Sequence, residues 1–417
     1  MVLKRVVVTG LGALTPLGKT VGEYWQGLAD AVSGCDIITQ FDASKFKTRF
    51  ACEVKDFDAT VYLDRKEARK MDRFTQFAVI ASDEAVKDAG LTPENINPDR
   101  VGVIIGSGIG GIVTFQDEVI EFAKGDGTPR FNPFFIPKMI SDIAAGQISM
   151  RHCFRGPNYA VVSACASATN AIIDAFDNIR LGKADIIVTG GSEAVICEAG
   201  VGGFNAMKAL SERNDDPKTA SRPFDKDRDG FVMGEGAGIL ILEELNHALA
   251  RGAKIYCEIG GGGATADAHH ITAPHPEGLG AKNVMLAALN DAGMQPSDID
   301  YINVHGTSTP LGDIAETKAI LSVYGENAYN LNISSTKSMT GHCLGAAGAL
   351  ETLACILAVT KDIVPPTINH FTDDPELDPK LNFTFNKAQH RTVNAAMCNT
   401  FGFGGHNASV VVKKYVG

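Results

Sequence analysis

The sequence predicts an α/β fold built from two duplicated halves. Short apolar runs that end near glycines, such as residues 6–8, 101–105 and 186–188, alternate with helix-compatible stretches such as residues 77–89. This alternation is typical of layered sheets and helices. With 417 residues, of which 45% are hydrophobic and 21% charged, the chain can bury a large core in two domain-sized halves.

An internal repeat supports the duplication. The tripeptide DAG at 88–90, followed by an apolar strand and the glycine turn GSG, is matched by DAG at 291–293, followed by the strand YINV and the turn HGTS. The segment FVMGEGAGILILEE at 231–244 likewise aligns without a gap to FGFGGHNASVVVKK at 401–414. We infer that an ancestral α/β unit was duplicated.

The repeat places the division near residue 255. The N-terminal half then comprises residues 1–255 and the C-terminal half residues 256–417. No low-complexity segment or charged linker separates them, so tight packing between the halves is expected. Loops at equivalent strand ends can face each other, and the functional site is therefore expected at the junction.

The composition disfavours several classes of function. The formal net charge of -11 opposes non-specific attraction to nucleic acid or to an anionic membrane. Nine cysteines without a C-x-x-C pair fit neither a disulfide framework nor a zinc site and indicate a reducing compartment. The N-terminus lacks a signal-peptide cleavage site, and no uninterrupted apolar run approaches the roughly 18 to 20 residues that span a bilayer. A cytoplasmic protein without nucleic-acid or membrane partners is expected.

The run GSGIGG at 106–111 matches the G-x-G-x-x-G fingerprint of dinucleotide-binding oxidoreductases. Such a site also needs a second strand that ends in an acidic residue about 20 residues further on. The sequence that follows the run offers no such strand. A glycine-rich turn that lines a pocket is the better interpretation.

Two other segments resemble metal sites. The run DKDRDG at 225–230 nearly matches a calcium loop, but Gly236 stands at position twelve, where a glutamate should bind the ion. A structural loop held by salt bridges is expected instead. His269, His270 and His275 lie in a turn-rich segment without helical register, so they are expected to line a pocket wall or to face solvent. No metal site is expected.

Three further segments share one shape, an apolar strand that ends in a small-residue turn with a reactive side chain. They carry Cys165, His305, and the pair Lys337 and His342. Cys165 precedes the helix-compatible ATNAIIDAFDNIR, whose N-terminus should lower the pKa of the thiol from about 8.5. A thiolate suits attack on thioesters. The alternatives are a buried structural cysteine and histidines that only satisfy hydrogen bonds.

Eight motifs extend over nearly the whole chain. They are VVVTGLGAL, GSGIGG, the block around Cys165, VGGFNAMKALS, SRPFDKDRDGFVMGEGAG, HGTSTPLGD, SSTKSMTGHCLGAAGALE and NTFGFGG. In this order they resemble the β-ketoacyl-acyl carrier protein synthases, most closely the synthase II type. The resemblance implies a thiolase-like, five-layered αβαβα fold, a homodimer and an elongating acyltransferase of fatty acid biosynthesis.

The resemblance also implies a decarboxylative Claisen condensation. Cys165 would accept the acyl chain from the phosphopantetheine thioester of acyl carrier protein, and malonyl-acyl carrier protein would then take its place. His305 and His342 would donate hydrogen bonds to the malonyl thioester carbonyl as carbon dioxide leaves. The resulting carbanion would attack the acyl-Cys165 carbonyl, with the N–H groups of Cys165 and Phe403 as the oxyanion hole.

Other roles follow from the same resemblance. Lys337, with Glu351 as its counter-ion, would help to hold the hydrogen bonds of the site, because an unpaired buried lysine is costly. Ile109, Phe204 and Phe403 would line the acyl pocket. The protein would need no metal or redox cofactor, since phosphopantetheine belongs to the carrier-protein substrate.

The resemblance places a basic docking surface for the acidic acyl carrier protein on this chain. It would comprise Lys66, Arg69, Lys70, Arg130 and Lys208. Such charges steer association more than they set affinity. The sequence departs from the family pattern at Phe131, where relatives often carry a basic residue. The alternative is that these are ordinary solvated surface charges.

Two other functions remain compatible with this fold. One is a ketosynthase of a secondary polyketide or polyene pathway, which only the acyl pocket would distinguish. The other is a non-catalytic chain-length partner subunit, a binding protein rather than an enzyme. Such partners lack the nucleophilic cysteine, so the presence of Cys165 favours an enzyme.

Overall fold

The structure is a computed structural model and describes residues 3–417. The strands in the described residues are β1 (Val6–Leu14), β2 (Asp36–Ile37), β3 (Phe50–Ala51), β4 (Val101–Gly106), β5 (Asn158–Val161), β6 (Ile186–Glu193), β7 (Gly236–Glu244), β8 (Cys257–Ala266), β9 (Tyr301–Asn303), β10 (Asn332–Ser334), β11 (Ile363–Val364), β12 (Gln389–His390), β13 (Ala395–Gly402) and β14 (His406–Lys413). The α-helices are α1 (Val21–Ala29), α2 (Arg65–Ala68), α3 (Arg73–Asp88), α4 (Ile112–Lys124), α5 (Phe135–Met139), α6 (Ile143–His152), α7 (Ser167–Arg180), α8 (Glu198–Ala206), α9 (Leu245–Ala250), α10 (Leu279–Ala292), α11 (Pro310–Tyr324), α12 (Lys337–Thr340) and α13 (Ala347–Lys361).

Ten of these strands form one sheet in the order β5-β4-β6-β7-β1-β8-β14-β13-β9-β10. In the first five, β4 is parallel to β5 and β6, and β7 is antiparallel to β6 and β1. In the last five, β9 is parallel to β10 and β13, and β14 is antiparallel to β13 and β8. The two sets repeat the same order and directions, and they meet where Val7 and Val8 pair with Glu258 and Cys257. The strand topology therefore confirms the predicted duplication.

Helices on three levels enclose the two sets of strands. On the outer side of the first set, α3 packs against β1, β7 and β6, and α6 packs against β4. On the outer side of the second set, α10 packs against β8 and β14, with α11 beside it. Between the sets, α7 contacts β6 and β14, and α13 contacts β7 and β13. The five-layered αβαβα arrangement is thus confirmed.

The burial of the central strands explains the apolar runs with which they begin. All residues of β4 and β6 are buried, as expected when helices cover both faces of a parallel strand. The largest apolar cluster includes Ile172 and Leu240 from the first half and Leu353 and Val410 from the second. The halves therefore share one core rather than docking as separate domains.

The DKDRDG loop is held by interactions with protein groups. Asp225 is fully buried and accepts the backbone N–H groups of residues 371–372 at 2.6 and 2.8 Å. Arg228 forms ion pairs with Asp313 at 3.4 Å and Asp374 at 2.6 Å. The interpretation as a salt-bridged structural loop is confirmed.

One helical segment of the described residues, Leu344–Lys361, has the length and apolar composition to cross a membrane. It consists of a tight turn followed by α13, and 89% of it is buried inside the protein. Glu351 and two threonines interrupt its apolar residues, which is why no uninterrupted run was found in the sequence. In this structure the segment is a helix of the shared core.

Candidate active site

Cys165 is the middle residue of the tight turn Ala164–Ala166, which connects β5 to α7. Ala164 has a φ of 52°, and this left-handed conformation bends the chain between strand and helix. The thiol is 7% exposed and lies at the N-terminal end of α7. The predicted position of the cysteine, between strand and helix, is confirmed.

The structure corrects the predicted direction of the thiol's pKa. Burial raises the pKa of Cys165 to about 12, whereas the charge of Lys337 and the backbone N–H of Phe403 act in the opposite direction. The sequence argument considered only the helix N-terminus, which favours a thiolate. It did not include the exclusion of water around the sulfur, which disfavours the charged form. The resting form is a thiol whose proton must leave when the sulfur attacks.

His305 lies just after β9, in a turn that a buried carboxylate holds in place. Glu316, on α11, accepts the backbone N–H groups of His305 and Gly306, each at 2.9 Å. Burial raises the pKa of Glu316 to about 7, against the effect of these two hydrogen bonds. Glu316 therefore fixes the backbone that carries the imidazole.

His342 is held by the other half of the chain. Its backbone N–H donates to the carbonyl of Val232 at 2.7 Å, and its carbonyl accepts the N–H of Gly234 at 2.9 Å. The two imidazole rings meet edge to face, with centroids 5.3 Å apart and an interplanar angle of 87°. The structure thus brings His305 and His342 together, as the hypothesis of one site requires.

Both imidazoles are neutral in this environment. Burial lowers the pKa of His305 and of His342 well below 6.5, and the charge of Lys337 lowers both further. Within residues 3–417, the buried Nδ1 atoms of the two rings have no hydrogen-bond partner. Each neutral ring carries one N–H donor and one acceptor nitrogen.

Lys337 and Glu351 form a buried ion pair behind the histidines. Each is 2% exposed, and the ammonium of Lys337 donates to Oε1 of Glu351. Burial raises the pKa of Glu351 to about 7, and the neighbouring ammonium acts against that shift. The structure therefore places both residues together, as the resemblance implies.

A cavity of about 580 Å³ joins the reactive groups. This volume suits a ligand of moderate size. Cys165 from the first half and His305 and His342 from the second line it, although their turns are far apart in the sequence. The predicted pocket residues Ile109, Phe204 and Phe403 also lie on its wall.

The sequence analysis missed part of the cavity wall. Phe231 packs edge to face against Phe204 at 5.4 Å, and Phe401 lies 5.5 Å from His305, between ring centroids. These two phenylalanines occupy the same position in the aligned segments 231–244 and 401–414. The repeat was therefore a signal that could have identified them. Leu344 also lines the cavity.

The basic residues of the expected docking surface differ in their surroundings. Lys66, Arg69 and Lys70 are exposed on and just after α2, and Lys208 is exposed at the wall of the cavity. Arg130 forms an exposed ion pair with Asp126 at 3.3 Å. Phe131 stacks on Phe122 and Phe135, with centroids 5.3 and 5.5 Å apart.

The three histidines of the turn-rich segment are placed as the sequence suggested. His275 lines the cavity, and His269 and His270 are exposed. Over residues 3–417, no group of three or more His, Cys, Asp or Glu side chains is arranged to hold a metal ion.

Together, the duplicated five-layered fold and a cavity at its junction, lined by a cysteine and two neutral imidazoles, define a thiolase-like condensing enzyme. Family models agree with this class. The Beta-ketoacyl synthase N-terminal domain matches residues 3–248, and the Beta-ketoacyl synthase C-terminal domain matches residues 256–371. The chain belongs to the β-ketoacyl synthase family.

Individual members of the family and related solved structures are similar to this chain over nearly its full length. The 3-oxoacyl-[acyl-carrier-protein] synthase 2 of Synechocystis sp. is 53% identical over 413 residues, which cover 99% of this chain and 98% of the relative. The synthase 2 of Staphylococcus aureus strain N315 is 51% identical over 412 residues, or 99% of each chain.

Among solved structures, the ishigamide ketosynthase/chain length factor has a TM-score of 0.92 at 36% identity. A type II PKS ketosynthase in complex with its acyl-carrier protein has a TM-score of 0.91 at 34% identity. Each alignment covers 99% of this chain and 100% of the other.

Proposed function

We propose that the protein elongates acyl chains on acyl carrier protein by a two-carbon unit taken from malonyl-acyl carrier protein. The observation that carries this proposal is the convergence of Cys165, His305 and His342, from both halves, on one cavity. Relatives named 3-oxoacyl-[acyl-carrier-protein] synthase 2, at 51% and 53% identity over nearly the full chain, support it.

In the first step, the sulfur of Cys165 attacks the carbonyl of the acyl thioester. A C–S bond to Cys165 forms, the bond to the phosphopantetheine sulfur breaks, and the thiol proton passes to the departing thiolate. The raised pKa of Cys165 makes proton transfer part of this step. A neutral imidazole of His305 or His342 can relay the proton, because it has both a donor and an acceptor nitrogen.

In the second step, malonyl-acyl carrier protein loses carbon dioxide. The bond to the carboxylate carbon breaks, and its electron pair forms the enolate of the thioester. N–H groups of His305 and His342 donate to the oxygen on which this charge develops. The lowered pKa of each ring is compatible with this role, since a neutral imidazole carries one N–H group that can donate a hydrogen bond.

In the third step, the enolate carbon attacks the acyl carbonyl on Cys165. The new C–C bond forms, the C–S bond to Cys165 breaks, and the departing thiolate of Cys165 takes up a proton from water. The N–H groups of Cys165 and Phe403 hold the oxyanion of this step. The effect of the Phe403 N–H, which acts to lower the pKa of Cys165, supports this assignment.

The chemistry needs no metal or redox cofactor of the protein's own. Loss of carbon dioxide generates the carbanion, and phosphopantetheine arrives on the carrier protein. Burial keeps the two imidazoles neutral and the charge of Lys337 adds to this effect, while Glu351 balances that charge in the interior. Lys337 is thus a supporting residue in this mechanism.

Acyl carrier protein would dock on Lys66, Arg69, Lys70, Arg130 and Lys208, of which Lys208 lies at the wall of the cavity. The net charge of -11 makes such a local basic surface necessary for an acidic partner. Arg130 contributes less if its ion pair with Asp126 persists. Nine free cysteines fit a cytoplasmic location.

A homodimer is also proposed. The edge strand β5 pairs only with β4 among the described strands, so its outer backbone groups can accept a second copy. In addition, α4, α5 and the segment between them expose a row of apolar side chains. They include Phe115, Val119, Phe122, Phe131 and Ile136, each 40% to 55% exposed. Burying this apolar surface would stabilise the dimer.

The polyketide alternative has weaker support. The similar polyketide ketosynthases are 34% and 36% identical to this chain, below the values for the synthases of the 3-oxoacyl type. The partner-subunit alternative lacks support, because Cys165 is present and lines the cavity.

The first test is the intact mass of the protein after incubation with a medium-chain acyl-acyl carrier protein, in parallel with Cys165→Ala. We expect one acyl adduct on the native protein alone. Addition of malonyl-acyl carrier protein should discharge it as β-ketoacyl-acyl carrier protein. Absence of an adduct with every carrier-bound chain would favour the partner-subunit function.

A second test separates the steps. Cys165→Gln removes the nucleophile and leaves both histidines, so malonyl-acyl carrier protein should still lose carbon dioxide while condensation stops. His342→Ala is the matched variant and should lose decarboxylation. Loss of decarboxylation in Cys165→Gln would contradict the division of roles.

A further inference from the structure

Glu193, the last residue of β6, is fully buried between two turns of the active-site region. Its Oε2 accepts the N–H groups of Gly108 and Gly345 at 2.7 and 3.0 Å. Its Oε1 accepts the hydroxyl of Ser107 at 3.0 Å and the N–H groups of Ile109 and Gly110 at 3.2 and 3.3 Å. One carboxylate therefore ties the GSGIGG turn of the first half to the turn Leu344–Ala346 of the second.

The two turns approach Glu193 too closely for side chains. A Cβ on Gly108 would lie 2.8 Å from Oε2 of Glu193, and one on Gly345 would lie 2.6 Å from the same atom. Real Cβ atoms essentially never approach so closely. The carboxylate is thus part of a close backbone contact, and it is not exposed to solvent.

In the duplicated fold, the turn that Glu193 contacts in the second half is equivalent to the turn that carries Cys165 in the first half. Gly345 and Cys165 are equivalent, since each is the middle residue of a three-residue turn before a central helix. The residues before them, Ala164 and Leu344, both have a positive φ, of 52° and 45°. In the first half this turn carries the thiol. In the second half the equivalent N–H group is occupied by Glu193.

The residues next to these hydrogen bonds form part of the acyl pocket. Ile109 and Leu344 line the cavity together with Cys165. The side chain of Ile109 is 40% exposed, so few neighbours hold it and its position depends on the backbone. The N–H of Ile109 donates directly to Glu193. Leu344 precedes Gly345 in the chain, and the N–H of Gly345 also donates to Glu193.

We propose that Glu193 is a positioning residue that fixes the pocket wall formed by Ile109 and Leu344, and thereby determines which acyl chains Cys165 accepts. This inference rests on the proposed acylation of Cys165. A carboxylate is acceptor-only, and it matches the five donors around it. An amide at this position would present an NH₂ group to backbone N–H groups and would leave buried donors unpaired.

The test is Glu193→Gln, assayed for acylation of Cys165 with a series of short, medium and long saturated acyl chains on carrier protein. We expect the ratio of kcat/KM for long chains to that for short chains to change by about tenfold, the factor that one or two unpaired buried donors can produce. The change in the ratio should appear mainly in KM, since Glu193 makes no hydrogen bond to a reacting group. Its charge helps to raise the pKa of Cys165, and the loss of that effect should act equally on all chain lengths and cancel in the ratio.

Two controls make the result specific. Glu243→Gln alters an equally buried glutamate of β7, held by Arg251 and Thr9 away from the cavity, and should leave the ratio unchanged. Ser107→Ala removes one donor while keeping the carboxylate, and should change the ratio in the same direction but less.

The outcomes separate this inference from the proposed function. If the native protein forms no acyl adduct, the proposed function fails. If it does, and Glu193→Gln changes kcat/KM equally for all chains or not at all, the positioning role is wrong. Should Glu193→Gln fail to fold, the chain-length ratio of Ser107→Ala decides in its place.

Discussion

At the residue scale, His305 and His342 lie in surroundings that oppose their protonation. Their pKa values are lowered first by burial and then by the ammonium of Lys337. A lowered imidazole pKa means that protonation requires a lower pH than for an exposed histidine, whose pKa is about 6.5. Both rings should therefore remain neutral throughout the physiological pH range.

This expectation can be checked by NMR of the protein with labelled histidine rings. Between pH 8 and pH 6 (roughly the range over which an exposed imidazole becomes charged), the signals of His305 and His342 should not shift. His305→Gln and His342→Gln assign the two signals. A titration of either ring within this range would contradict the neutral state used in the mechanism.

The buried pair of Lys337 and Glu351 leads to a prediction about stability. Lys337→Met leaves the carboxyl of Glu351 buried without its partner, which should lower the free energy of unfolding by about 3 to 5 kcal/mol. The double variant Lys337→Met with Glu351→Gln removes both charges and should recover part of this loss. Urea unfolding followed by circular dichroism measures both. Equal losses in the single and double variants would show that the pair is not coupled.

At the scale of elements, the central helices α7 and α13 pack so closely that a glycine is needed between them. A Cβ on Gly348 of α13 would lie 2.0 Å from Oγ1 of Thr169 on α7. The hydroxyl of Thr169 also accepts a hydrogen bond from Thr400 of β13 at 2.9 Å, so it cannot easily move away. This contact joins elements of both halves directly behind the turn that carries Cys165.

Gly348→Ala should therefore destabilise the protein by about 1 to 3 kcal/mol, the usual cost of overpacking a core. Gly203→Ala is the matched control, because Gly203 lies within α8 and nothing stands within 4 Å of an added Cβ. Alanine there should stabilise the helix by about 0.5 to 1 kcal/mol. Thermal unfolding of both variants measures the difference, and equal effects would mean that the helices can separate without cost.

At the scale of the whole molecule, the apolar row on α4 and α5 predicts the oligomeric state. Phe122→Asp places a charge in the proposed interface and should shift the mass from dimer to monomer in sedimentation velocity. Leu249→Asp changes a comparably exposed apolar residue on α9, which is 52% exposed, and should leave the mass unchanged. A native protein that sediments as a monomer would contradict the proposed interface.

Those parts of the fold that depend on neighbouring residues could be predicted from the sequence. Apolar runs, glycine turns and the repeat depend on neighbours along the chain, so the α/β class and the duplication were readable from them. The first turn of α3 was not, since the predicted helix began at residue 77 and the observed helix begins at Arg73. Asp72 caps this helix by accepting the N–H of Phe74, a local signal that the apolar pattern did not include.

The sequence by itself determined the repeated α/β units, the strand-end positions of Cys165, His305 and His342, and, through family motifs, the chemistry of condensation. Only the tertiary structure decided that burial raises the thiol's pKa, because the residues that exclude water come from distant parts of the chain. It likewise decided the role of Glu193, whose partner Gly345 is 152 residues away. Local hydrogen bonding and periodicity depend on residues that are neighbours in the sequence, whereas burial and long-range contacts arise only when the two halves pack together.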